Sequence, residues 1–377
     1  MTHDLASPID LVSPPRISFG VGTASGVAGW VRGRGLKRPL VVADSVNVAR
    51  IDRLGFEAGV PLYSGFHPEP DAADLAALLA VVRAAEPDVI IGFGGGSAMD
   101  LAKLAAVLPD SGQDFEEVVG AEKVSTRRTA LVQVPTTAGT GSEVGTRALV
   151  TDPKTLNKLA VQSEHMLADL AVVDPELTVS MPRAVTVATG VDALAHCVEA
   201  YTNRLAHPLI DLYALEGIRL VGRWLPVAAA NGEDRQARAA MALAALYGGI
   251  CLGPVNTAGG HAVSYPLGSR HHIPHGAANA LIFPHVLAFN APVAAERTAT
   301  ILAALGLEAA SEERVVFAAA HRWCVELGCE MRLSVLGVPA EDLPAMADEA
   351  HAIRRLLDNN PRDLTRENIL AIYRAAY

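Results

Sequence analysis

Asp192 and His196 stand four residues apart in Gly190-Val191-Asp192-Ala193-Leu194-Ala195-His196. On a helix this spacing puts a carboxylate and an imidazole on one face, about one turn apart. Such a pair is either a solvated ion pair or half of a metal clamp. Two further histidines favour the clamp. His261 follows Gly259-Gly260, and His275 begins a second segment at Pro274-His275-Gly276. The chain holds 12 histidines, and five of them (His261, His271, His272, His275 and His285) fall within 25 residues, which core histidines do not usually do. Asp192, His196, His261 and His275 supply one carboxylate and three imidazoles. That set suits Fe(II) or Zn(II) and leaves room for a substrate oxygen. A divalent ion held there would act as a Lewis acid on an alcohol or carbonyl.

A second chemistry lies upstream. Gly92-Phe93-Gly94-Gly95-Gly96-Ser97-Ala98-Met99-Asp100 joins a strand-like run to a helix-like one. Three consecutive glycines let backbone N–H groups approach a ligand, and Ser97 stands where an N-cap belongs. The helix N-terminus favours an anion, so the loop reads as a pyrophosphate cradle or as a tight βα turn. It departs from GxGxxG at Ser97. Asp44 ends an earlier strand, where a carboxylate either accepts both hydroxyls of a ribose or caps the next helix. The loop Pro135-Thr136-Thr137-Ala138-Gly139-Thr140-Gly141 offers hydroxyls and glycines that suit a phosphate or a ribose, or merely a turn.

The elements that must position these groups change character halfway. Residues 39–44, 87–93 and 129–134 are short apolar runs that read as buried strands, with helices expected over 71–86 and 97–108. Alternation of strand and helix implies a parallel α/β sheet with right-handed crossovers. From about Met181, Ala/Leu/Arg segments follow one another at 182–203, 208–229, 233–252, 276–289, 291–305, 311–328 and 339–357. The expectation is an α/β dinucleotide-binding domain over 1–180 and an all-α metal-binding domain over 181–377, meeting at a cleft. The boundary falls between Asp174 and Pro182.

Composition narrows the class. Half the residues are hydrophobic and 19% charged, which excludes a mainly disordered chain. A net charge of −10 without a Lys/Arg cluster excludes a basic nucleic-acid footprint. No apolar run reaches the length of a membrane span, and no leader pattern opens the chain, so a cytoplasmic protein is expected. Cys197, Cys251, Cys324 and Cys329 form no CxxC pair and read as reduced thiols.

Taken together, GGGSAMDLAK at 94–103, PTTAGTGSEV at 135–144, GVDALAHCVEAY at 190–201 and HIPHGAANA at 272–280 resemble the iron-containing (group III) alcohol dehydrogenases. The resemblance runs from about residue 13 to 375 in the same order. It implies a Rossmann-like N-terminal domain and a helical C-terminal domain, the dehydroquinate-synthase-like architecture. It also implies NAD(P)(H), a divalent metal beside the nicotinamide, and a homodimer or larger assembly. By motif, the metal ligands fall on Asp192, His196, His261 and His275. Cofactor contacts fall on Gly94, Gly95, Gly96, Ser97, Asp100, Thr136, Thr137 and Thr140, with Lys158 and Leu177 on looser matches. Asp44 matches the position that favours NAD over NADP.

One departure concerns the proton route. Many members read HxxxHPLG after the third ligand, whereas this chain reads His261-Ala262-Val263-Ser264-Tyr265-Pro266-Leu267. Tyr265 stands for a histidine often assigned to substrate or proton handling, so Tyr265 and His272 are the candidate catalytic groups, with His272 equally readable as lining. Apolar Leu252, Pro254, Val255 and Val263 near the ligands suggest a small or medium alcohol or aldehyde. Sister activities share the scaffold: a hydroxyacid–oxoacid transhydrogenase, a glycerol-dehydrogenase-like zinc enzyme or a metal-free maleylacetate-reductase-like enzyme. The complete ligand set opposes the metal-free one. A dehydroquinate-synthase-like lyase would need several basic residues for a polyanion, and Arg270 is the nearest to His261. A non-enzymatic nucleotide-binding protein would leave the four ligands without a purpose.

Overall fold

Val89–Gly94 (β4) is buried at every position, as an uninterrupted apolar strand must be when both its faces are covered. The computed structural model that shows this describes residues 5–57, 59–153 and 158–377. Around β4 runs a six-stranded sheet in the order β1-β9-β6-β4-β2-β3, parallel at every pairing. Its strands are β1 (Ile17–Phe19), β2 (Pro39–Ala43), β3 (Leu62–Tyr63), β4, β6 (Ala130–Pro135) and β9 (Leu170–Val173). Successive side chains alternate between two cores. Val41, Ile91 and Phe93 join Val27 and Val31 on one face, while Leu40, Val42 and Ile90 join Leu101 and Leu104 on the other.

Four helices belong to this unit: α1 (Val27–Gly33), α2 (Ala72–Ala85), α3 (Gly96–Ser111) and the short α4 (Phe115–Val118). The acidic start expected of α2 is a capping box, with Asp71 and Asp74 each accepting from the other's backbone N–H. A second sheet was not anticipated. β5 (Gly120–Ala121), β8 (Lys158–Gln162) and β7 (Arg147–Thr151) line up in that order, β8 pairing parallel with β5 and antiparallel with β7. These strands are short and only partly buried, so they lack the continuous apolar text of the central ones.

Beyond Val179 the described residues form helices and no strands. They are α5 (Arg183–Thr202), α6 (Pro208–Ala230), α7 (Arg235–Leu252), α8 (Gly259–His271), α9 (His275–Asn290), α10 (Ala295–Ala304), α11 (Glu313–Glu326), α12 (Leu343–Ala352), α13 (Arg354–Leu357) and α14 (Arg366–Ala375). The single helix expected over 339–357 is broken into a 3-10 turn, α12 and α13, and α10 starts at Ala295 rather than near 291. The chain divides into two compact units, Val12–Val179 and Ser180–Tyr377, and the described residues ahead of Val12 group with the second. His207 Nε2 lies 3.1 Å from the Ser7 carbonyl there. No helix among the described residues is long and apolar enough to cross a membrane. All four cysteines are free.

Candidate metal centre and nucleotide loop

α5 carries Asp192 and His196 on a buried face, and its packing against α9 brings His275 to the same place. α8 delivers His261 from its first turn. The atom at the centre of this arrangement is Asp192 Oδ1. It lies 3.4 Å from His275 Nε2, 3.6 Å from His261 Nε2 and 3.8 Å from His196 Nε2. Four donors about 2.1 Å from one tetrahedral centre stand about 3.4 Å apart, so these separations match the edges of a metal's ligand shell. Asp192, His261 and His275 form the tightest set, with donor atoms all within 4.8 Å of one another. His196 stacks on His261, ring centroids 4.8 Å apart.

The charges around the site fit a cation. Burial alone would raise the Asp192 pKa, but His196, His275 and the hydrogen bond from His261 hold it well below the usual carboxylate range. Burial pushes His196 down to about 4, keeping its imidazole neutral and able to ligate. At His261 burial also works against charge, yet Glu199 and then Asp192 outweigh it and push the pKa up to about 10. Two buried carboxylates thus draw one positive charge to this spot, and a divalent ion answers that demand as a proton does. Among the described residues, buried His196 Nδ1 and Asn279 Oδ1 have no hydrogen-bond partner, which native burial rarely leaves to polar atoms.

Two groups here went unread in the sequence. Glu199 accepts from His261 Nδ1 at 2.7 Å. Asn279 donates to Asp192 Oδ1 at 2.7 Å and stands 3.2 Å from both His261 Nε2 and His275 Nε2. A helical spacing was available for each: Glu199 extends the Asp192, His196 face by three residues, and Asn279 is four beyond His275.

The histidine-rich stretch resolves into separate jobs. His271 lies 3.4 Å from Asp342, and His285 is buried in α9 against Phe317. His272 is exposed and caps α8 in a left-handed conformation, φ 53°, its N–H donating to Gly268 O. No hydrogen bond or ion pair to its imidazole occurs among the described residues. Tyr265 is closer to the ligands, its ring 5.8 Å from that of His275 and 6.3 Å from that of His261. Of the apolar residues named above near the ligands, Val255 and Val263 are fully buried in the helical unit, while Leu252 and Pro254 are partly exposed. Val255 and Val263 therefore pack the interior and do not themselves argue for a substrate.

In the first unit the chain runs from β2 outward to β3 and returns on the other side of β2 as β4. The strand order therefore reverses between β2 and β4, the position where open α/β sheets bind ligands beyond their carboxyl ends. Asp44 and Gly94 to Gly96 flank that reversal. Asp44 Oδ2 accepts from Gly95 N at 3.4 Å, while Oδ1 accepts from Asn47 N and Nδ2 at 3.1 and 2.8 Å. One carboxylate thus caps the following turn and also borders the glycine loop. A Cβ on Gly94 would stand 2.6 Å from Asp44 Oδ2, and one on Gly96 would stand 3.0 Å from Thr140 Cγ2. At Gly95 it would meet only Thr137, at 3.7 Å, so this residue keeps its backbone open to approach.

Other residues of the loop set are engaged within the protein. Helix α3 is capped by Gly95, not Ser97, because the chain turns helical already at Gly96. Ser97 instead accepts from Glu69 N at 3.1 Å. Asp100 accepts from Ser142 Oγ at 2.7 Å and Leu149 N at 3.0 Å, tying α3 to the small sheet. Thr136 Oγ1 accepts from Asn47 Nδ2 at 3.0 Å. Lys158 Nζ donates to Thr151 Oγ1 at 2.8 Å and pairs with Glu69 at 2.9 Å. The Leu177 side chain is buried in the sheet core, and its carbonyl accepts from Arg50.

Comparison with known proteins places this geometry. Residues 14–175 match the model of the iron-containing alcohol dehydrogenases, and residues 186–377 match that of the C-terminal part of the Fe-containing alcohol dehydrogenase family. The chain is similar to long-chain-alcohol dehydrogenase 1 of Geobacillus thermodenitrificans, 36% identical with 97% of this chain and 96% of that one covered. Among solved structures it resembles a 1,3-propanediol oxidoreductase, TM-score 0.93 at 33% identity, covering 98% and 100% of the two chains. It also resembles the sulfoacetaldehyde reductase of Bifidobacterium kashiwanohense in complex with NAD+, TM-score 0.88 at 28% identity, covering 98% and 99%.

Proposed function

The chain belongs to the iron-containing alcohol dehydrogenase family and is an NAD-linked oxidoreductase of alcohols and aldehydes; from that premise we propose how its residues divide the work. Asp192, His196, His261 and His275 hold Fe(II) or Zn(II). Three imidazole nitrogens gathered around one buried carboxylate oxygen carry this reading. The metal, when bound, supplies Lewis-acid polarisation of the substrate oxygen, and the nicotinamide supplies or accepts the hydride.

The protein's own groups bind and orient. Gly94 to Gly96 and the start of α3 receive the pyrophosphate, where open backbone and the helix N-terminus favour an anion. Thr137 and Thr140 line the same loop, beside Gly95 and Gly96. Asp44 accepts the adenosine ribose hydroxyls and repels a 2′-phosphate, which sets NAD above NADP. Ser97, Asp100, Thr136, Lys158 and Leu177 support that loop through the internal contacts described above. Tyr265, beside two ligands, borders the reacting oxygen and handles the alcohol proton; His272, exposed at the end of α8, is the outer candidate for the same relay.

The substrate is an alcohol or its aldehyde, the class to which the long-chain alcohols, 1,3-propanediol and sulfoacetaldehyde in the relatives' names belong. Arg270 is bound to Glu349 at 2.7 Å and so is not free to receive a polyanion. That withdraws from such a role the basic residue nearest to His261 in sequence.

The test is turnover across a panel of alcohols with NAD and aldehydes with NADH, before chelation, after it, and with Fe(II) or Zn(II) restored. The expected result is activity lost on chelation and regained with metal. Activity indifferent to chelation would sink the metal assignment. Bound NADH recycled only between a hydroxyacid and an oxoacid would convert the reading to transhydrogenation.

A further inference from the structure

We propose that Glu199 is the residue that positions His261 for the metal, and that Gly260 exists to admit it. The inference rests on the metal reading above. Glu199 lies on α5, on the same face as Asp192 and His196, at positions i, i+4 and i+7. Its carboxylate is buried, and among the described residues the hydrogen bonds it accepts come from the opening turn of α8. Oε1 accepts from His261 Nδ1 at 2.7 Å and from His261 N at 3.1 Å. Oε2 accepts from Ala258 N at short distance.

These bonds do two things. The first turn of a helix leaves N–H groups without intrahelical partners, and a carboxylate there satisfies them and favours the helix dipole. Glu199 therefore caps α8 from another helix, fixing the His261 backbone. The bond to Nδ1 then fixes the ring, because Nδ1 must carry its proton toward Glu199 and Nε2 is the nitrogen directed at Asp192. Ligand histidines are generally held by such a carboxylate.

The glycine before the ligand is accounted for by the same contact. A Cβ at Gly260 would stand 2.5 Å from Glu199 Oε1 and 3.2 Å from its carboxyl carbon. Any side chain there pushes the carboxylate off His261. Gly259 is small for a different reason, since its Cβ would strike Leu364 and Asn360.

The test measures binding of Co(II) or Zn(II) alone, without nucleotide, to the full chain by chelator competition, with Co(II) absorption reporting ligand geometry. Glu199→Gln keeps the shape and removes the charge. Its expected metal affinity is about 10–100-fold below wild type. NADH binding, which the first unit carries, stays unchanged. Gly260→Ala lowers metal affinity with it, and the double variant loses little beyond the worse single one, because both remove one contact. Glu199→Asp, which retains the charge, recovers part of the loss. A folded Glu199→Gln protein with wild-type metal affinity and Co(II) spectrum overturns the inference while leaving the metal reading intact. A wild-type chain that binds neither metal overturns both.

Discussion

Asp44 caps a turn with one carboxylate oxygen and, on the proposed reading, recognises a ribose with the other. Its Oδ1 is taken by Asn47, but Oδ2 faces the glycine loop with only a 3.4 Å contact to Gly95 N. Replacing Asp44 with Gly removes the carboxylate proposed to repel a 2′-phosphate. The kcat/KM ratio of NADP to NAD is expected to rise by roughly tenfold or more, a change of about 1.4 kcal/mol. An unchanged ratio, measured by steady-state kinetics with both nucleotides, would remove Asp44 from the ribose site. At this scale the candidate donors were legible in combination, because one carboxylate and three imidazoles at these spacings are rarely assembled by a core alone, whereas each motif by itself also fits an ion pair or a turn. Their supports were not. Glu199 and Asn279 look like ordinary polar residues of amphipathic helices until folding sets them against His261 and Asp192.

At the scale of elements, the metal set depends on how closely α9 approaches α5. Gly276, directly after His275, is a point of close approach, for a Cβ there would stand 2.3 Å from Ala188 O. That neighbour is backbone, so the helices themselves must move apart. Gly276→Ala is expected to destabilise the helical unit by about 1–3 kcal/mol, the usual cost of overpacking. Because the shift separates His275 from Asp192, metal affinity should fall as well. Urea melts and metal titration check the two effects, and full metal affinity in the variant would deny that this contact sets the site. The sequence showed α5 to α7 to within a residue or two, since their apolar periodicity is long. It did not show α8. Gly259-Gly260 at its start and Pro266 within it are weak helix formers, and buried packing overrides them. The small sheet escaped for the opposite reason, its strands being too short and too exposed to stand out.

The whole molecule combines two units of different grammar, and the first holds a buried pair that answers to pH. In the first unit Lys103 and Glu143 are buried near the nucleotide loop. Burial pushes Lys103 down to about 8, although Asp100 and Glu143 oppose it. Lys103 donates to Ser142 Oγ and to the Arg147 carbonyl. Burial pushes Glu143 up to about 7 from an ordinary 4.5. A carboxyl raised in the folded state binds its proton more tightly there than when unfolded. Its contribution to stability is therefore whole below pH about 4.5 and is lost as pH rises through about 7. Relative to Glu143→Gln, wild type should lose up to about 3 kcal/mol across that window, measured by urea unfolding. A difference that stays flat with pH would mean the side chain is not buried as a carboxyl. This buried pair has no signature in composition, because only the fold removes Lys103 from water. The two-part plan, by contrast, was plain from the switch in periodicity near residue 180.

The most direct test of the account counts metal and turnover together. Wild type and His275→Ala, loaded with Fe(II) or Zn(II) and freed of excess, are analysed for bound metal, NADH binding and alcohol oxidation with NAD. The account predicts one divalent ion per wild-type chain, and loss of both metal and turnover in His275→Ala with NADH binding retained. A His275→Ala protein that keeps its metal and its turnover would contradict the assignment of the centre to Asp192, His196, His261 and His275.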